Sequence, residues 1–138
     1  MKDAMGAYRG TAEDISRLIT AQPGNAEAWY NRANARSSCG DFEGAVSDYT
    51  MALNIGLRYR EAIIALGNRG MANVETGDLE GAIADFSEII TRKPANRQLL
   101  STAYRNRGFV REKKGDREGA DGDRKEAAQL LPDIKNNQ

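Results

Sequence analysis

The feature that most restricts this chain is an internal repeat. The string Cys39-Gly40-Asp41-Phe42-Glu43-Gly44-Ala45-Val46-Ser47-Asp48-Tyr49 returns as Thr76-Gly77-Asp78-Leu79-Glu80-Gly81-Ala82-Ile83-Ala84-Asp85-Phe86, and its opening returns as Lys114-Gly115-Asp116-Arg117-Glu118-Gly119-Ala120, at offsets of 37 and 38 residues. A second element keeps the same two offsets: Asn31-Arg32-Ala33, Asn68-Arg69-Gly70 and Asn106-Arg107-Gly108. A partial copy opens the chain, with Gly6, Ala7, Tyr8 and Thr11 standing 34 residues before Gly40, Asp41, Phe42 and Ala45. Pro23, Leu57, Pro94 and Pro132 share one slot of the repeat. A unit of this size cannot bury its apolar face alone, so the copies must stack on one another.

Each full copy reads as two helices. Nothing between Ala26 and Cys39 breaks a helix; Gly40 then suits a left-handed helix end, and Asp41 suits the cap of the next helix. From Phe42 onward, Ala45, Val46, Tyr49, Ala52 and Leu53 recur at spacings of three and four, the stripe of an amphipathic helix. Leu79, Ala82, Ile83, Phe86, Ile89 and Ile90 repeat that stripe. Sustained strand-like alternation is absent, so the expected class is all-α. One domain spans 1–138: a second helix of a partial repeat at 6–23, repeats at 26–57, 58–94 and 95–132, and a frayed tail at 133–138. The second and third copies carry three and four extra residues, which predicts first helices about one turn longer.

Composition removes several functions. Twenty basic and twenty acidic residues give zero formal net charge, so no global field draws the chain to nucleic acid or to an anionic membrane. Histidine is absent and Cys39 is the lone cysteine, which excludes an internal disulfide, the usual Cys/His metal sites and the commonest general base. The expectation is therefore no enzyme, no cofactor and no metal. Without an apolar run near the roughly 20 residues a bilayer requires, or a secretion-like start, a cytoplasmic protein is expected unless a signal has been removed.

Trp29, Ala33, Gly40, Ala45, Tyr49 and Ala52 resemble the tetratricopeptide repeat family at its large, small, turn, small, aromatic and small positions. Leu66, Gly70, Gly77, Ala82, Phe86 and Pro94 follow the same order, as do Tyr104, Gly108, Gly115, Ala120, Ala127 and Pro132. The resemblance implies a right-handed α-solenoid of antiparallel helix pairs with about seven helices. It further implies that a peptide or protein partner lies across a concave wall of first helices. Carried over by position, that wall comprises Tyr30, Asn34 and Ser37, then Gly67, Met71 and Val74, then Arg105, Phe109 and Glu112.

Between Arg97 and Arg117 stand seven basic and two acidic residues, a local net of +5, which fits an acidic ligand; a solvated, locally neutralised face is the competing reading. The carboxylate clamp of one subfamily matches at Asn34 and Asn68, whereas Tyr30, Thr102 and Asn106 stand where it needs basic groups. Cys39 and Trp29 read as packing residues. The last second helix, with Asp121, Asp123, Arg124 and Lys125, reads as a polar cap facing water. The partial first copy leaves Ile15, Leu18 and Ile19 without a first helix of their own, so self-association through the N-terminal helix is an alternative function. A regulatory segment of a larger enzyme is another.

Overall fold

The computed structural model describes residues 4–131, and the side chains of all of these except 4, 5, 8 and 9. They form seven α-helices with no strand among the described residues: α1 Ala4–Ala21, α2 Ala26–Ser38, α3 Phe42–Ile55, α4 Tyr59–Thr76, α5 Leu79–Arg92, α6 Arg97–Lys113 and α7 Arg117–Leu130. The first helices differ in length, with 13 residues in α2 against 18 in α4 and 17 in α6. The expected tail at 133–138 and the Pro132 slot lie outside the described residues.

The corners have one chemistry. Gly40, Gly77 and Gly115 adopt φ of 87°, 87° and 90°, where a Cβ is costly, so each helix can end in a left-handed residue. At the first corner the Asp41 N–H donates to the Arg36 carbonyl at 2.8 Å and the Gly40 N–H to Ser37 at 3.2 Å, the paired bonds of a Schellman end. Asp41, Asp78 and Asp116 then cap the next helix by accepting from the N–H groups of Gly44, Gly81 and Gly119 at 3.0, 2.9 and 2.9 Å. The carboxylate sits so close that a Cβ on Gly44 would lie 2.4 Å from Asp41 Oδ2, which explains a glycine in a helical first turn.

The partial first copy lacks a corner. Gly6 and Ala7 stand in the slots of Gly40 and Asp41, yet α1 runs through both residues. Ala7 stands in the slot of Asp41 and has no side-chain acceptor, so nothing there caps a new helix.

The chain divides into two compact units, 1–77 and 78–138. In the first, α2 packs on α1 and on α3, and α3 packs on α4. Its centre joins Ala33, Ala45, Tyr49 and Ala65, all fully buried, with Tyr30, Leu53 and Leu57 half-buried around them. Alanines let the backbones approach closely enough for one tyrosine ring to fill the space between three helices. In the second unit α6 packs on α5 and α7. Gly108 plays the small-residue part there: a Cβ on it would lie 3.2 Å from both the Ala120 carbonyl oxygen and Asp123 Cβ. Phe86, Val110 and Ala120 are fully buried.

Candidate interaction surface

In α2 and α6 a buried ionic clamp fixes which face is turned to the following second helix. Asp48 on α3 is 1% exposed and accepts a fork from Arg32 Nε and Nη2, both at 2.8 Å, and a third bond from Arg36 Nη1 at 2.9 Å. In the second unit Asp123 on α7 is 3% exposed and receives Arg107 Nε at 3.0 Å, Arg107 Nη2 at 2.7 Å and Arg111 Nη1 at 3.0 Å. Guanidinium groups suit this role because their planar fork matches a carboxylate. The Asp48 bond holds the Arg32 guanidinium even more firmly protonated than usual, against the opposing effect of burial.

The arginine of each Asn-Arg pair also reaches backwards. Arg32 Nη1 donates to Ser16 Oγ on α1 at 2.9 Å, Arg69 Nη1 to Thr50 Oγ1 on α3 at 3.1 Å, and Arg107 Nη1 to Ser87 Oγ on α5 at 3.2 Å. One arginine thereby ties a first helix to the preceding second helix, and in α2 and α6 also to its own second helix. Asp123 therefore corrects the reading of α7 as a helix turned wholly to water: Asp121, Arg124 and Lys125 are exposed, but Asp123 is buried. Two of the seven residues counted in the basic stretch, Arg107 and Arg111, are spent on that clamp, and Lys114 pairs with Glu80.

The nine positions carried over from the resemblance fall into distinct environments. Tyr30 is half-buried, its ring edge-on to Tyr49 with centroids 6.2 Å apart. Asn34 accepts from the Tyr49 hydroxyl and from Asn68 Nδ2, the latter at 3.3 Å. Both clamp-like asparagines are thus engaged with each other and the core. Burial pushes the Tyr49 phenol up to about 12, with Asn68 opposing. Ser37, Gly67 and Val74 are half-buried. Met71 on α4 is 43% exposed, and Phe109 on α6, in the same repeat slot, is 50% exposed.

Around Phe109 the charges are arranged unevenly. Lys113 Nζ lies 5.2 Å from the ring centroid, and Arg105 is exposed on the turn before it with Nη2 3.4 Å from Ser101 Oγ. Glu112 is exposed and paired with Arg124. Arg105 also borders an open hollow of ≈ 400 Å³ with Arg124, Ala127, Ala128 and Leu131. In the first unit Tyr30 borders a hollow of ≈ 390 Å³ whose charged rim is Glu27, Arg58 and Glu61. Those rim residues escaped sequence reasoning, because the loop that brings Arg58 beside α2 has no periodic signal; Tyr59, 54% exposed at the start of α4, escaped it for the same reason.

Trp29 and Cys39 are both half-buried and in contact with backbone carbonyls. Trp29 Nε1 donates to the Pro23 carbonyl at 2.8 Å with Arg32 stacked on its ring, and Cys39 Sγ is 3.3 Å from the Arg36 carbonyl oxygen. Among the described residues no group of three His, Cys, Asp or Glu side chains could hold a metal ion. No described helix is long and apolar enough to cross a membrane.

Short helix pairs joined by repeated glycine-aspartate corners, with apolar side chains left exposed on the first helices, define a helical-repeat protein. Residues 26–55 and 63–96 match the family model of the tetratricopeptide repeat, and over those segments the chain is made of tetratricopeptide repeats. None of the curated proteins matches the sequence. Among solved structures the fold is similar to a MamA protein at 22% identity and TM-score 0.78, covering 91% of this chain and 64% of that one. It is also similar to a MamA RS-1 double mutant at 17% identity and TM-score 0.74, covering 100% and 82%, and to BtubC from P. vanneervenii at 19% and 0.67, covering 97% and 58%. The chain thus spans less than two thirds of the length of the first of these. At such identities the likeness concerns the fold alone.

Proposed function

We propose that the chain is a non-catalytic scaffold that binds a peptide or protein segment on the outward faces of its first helices. The observation that carries this reading is the exposure of Met71 and Phe109 in one repeat slot of α4 and α6. Large apolar side chains left in water on a regular helix gain free energy when a partner covers them, at about 25 cal/mol per Å². Arg105 and Lys113, on the turns before and after Phe109, favour a partner whose apolar anchor is flanked by carboxylates. The absence of histidine and the burial of Asp48 and Asp123 by arginines leave little acid-base equipment for catalysis.

The test is affinity capture from native lysate with the wild type and with Arg105→Glu plus Phe109→Ala. Both side chains are exposed, so the double variant keeps its fold. Loss of specific partners from the variant is expected, and identical partner lists would sink the proposed surface.

A further inference from the structure

We propose that α1 offers a second docking face, built to receive a helix of a partner protein that carries two arginines four residues apart. The register of α1 is fixed by contact as well as by sequence, because Ser16 receives Arg32 as Thr50 receives Arg69 and Ser87 receives Arg107. Ser16 and Thr50 are 34 residues apart, which places Thr11, Asp14, Ile15 and Leu18 in the slots of Ala45, Asp48, Tyr49 and Ala52. Those four residues of α3 are buried to at most 1% exposure, and Asp48 and Tyr49 among them bond to α2.

On α1 the same slots are open. Asp14, in the slot that receives the arginine fork on α3 and α7, has a side chain 77% exposed and pairs with Arg17, itself 83% exposed, at 3.6 Å. Leu18 is 42% exposed where Ala52 is fully buried, and Ile15 is half-buried where Tyr49 is fully buried. Ala12 and Ile19, on the side turned to α2, are buried. Half of a second-helix interface is therefore made and half is vacant. The vacant half has a carboxylate where the two complete examples put one beneath two guanidinium groups. The complement is an amphipathic helix with Arg-x-x-x-Arg on one face and a small residue between, as Arg32, Ala33 and Arg36 provide on α2.

The probe is a lactam-constrained helical peptide with the sequence of residues 25–41, titrated onto the intact chain by fluorescence anisotropy. Saturable binding is expected, weakened about tenfold by Asp14→Asn in the protein and about as much by Arg32→Gln with Arg36→Gln in the peptide. The two losses should not add when combined. Asp14 is exposed, so Asp14→Asn should melt with the wild type, which separates lost docking from lost folding. Binding that ignores Asp14→Asn, or no binding at all, overturns the proposal. Sedimentation of the chain alone supplies the remaining arm: self-association abolished by Asp14→Asn would assign the face to a second copy and overturn the partner helix.

Discussion

Asp48 carries one negative charge against two guanidinium groups, in a site where water reaches almost none of the carboxylate. Replacing it by asparagine preserves shape but leaves Arg32 and Arg36 without a buried counter-charge, which should cost about 3–5 kcal/mol. Asp123→Asn should do the same in the second unit, and urea denaturation of each variant checks both. These aspartates were half-legible. Asp48, Asp85 and Asp123 recur at the same offsets as Arg32, Arg69 and Arg107, a paired recurrence of opposite charges. Hydrophobic patterning alone counts any aspartate as polar and turned Asp123 to water. Tyr49 gives a pH test. Its phenol is neutral in the fold up to about pH 12 against a usual 10.0, so the folded state holds the proton more tightly and stability falls as pH rises between those values. The stabilisation is whole below pH 10.0 and gone above about 12, with a slope of at most roughly 1.4 kcal/mol per pH unit. Tyr49→Phe should flatten that alkaline limb, and a pH series of denaturation midpoints will show it.

At the scale of elements, corners decide where helices stop. Gly115→Ala puts a Cβ at φ 90° and should cost about 1–2 kcal/mol, seen as a lower urea midpoint with an unchanged slope. Ala45→Leu should overpack the centre of the first unit, where Ala45 has no exposure, and cost about 1–3 kcal/mol by the same measurement. The α2–α3, α4–α5 and α6–α7 corners were legible because they carry a local chemistry: a glycine at positive φ and an aspartate that accepts a first-turn N–H. At the start of α1, expected at residue 6 and found at Ala4, Gly6-Ala7 keeps the repeat's spacing but lacks that capping carboxylate. A repeat alignment transfers position, whereas a helix boundary requires the side chain that makes it.

For the molecule as a whole, zero net charge conceals an ordered use of charge: part of it is buried in clamps, and part lies beside the exposed ring of Phe109. The sequence groups Asn34, Met71 and Phe109 in one repeat slot. It did not separate Asn34, held by Tyr49 and Asn68, from Met71 and Phe109, which reach solvent in the same slot. That separation depends on which side chain from a neighbouring helix reaches the slot, a tertiary fact without periodicity. The most direct test of the scaffold reading is to place a photo-reactive benzoylphenylalanine at residue 71 or 109 in the native host, with residue 129 on the exposed face of α7 as control. Positions 71 and 109 should capture discrete protein adducts that 129 does not; equal labelling at all three positions, or none at 71 and 109, would rule out a docking face on the first helices.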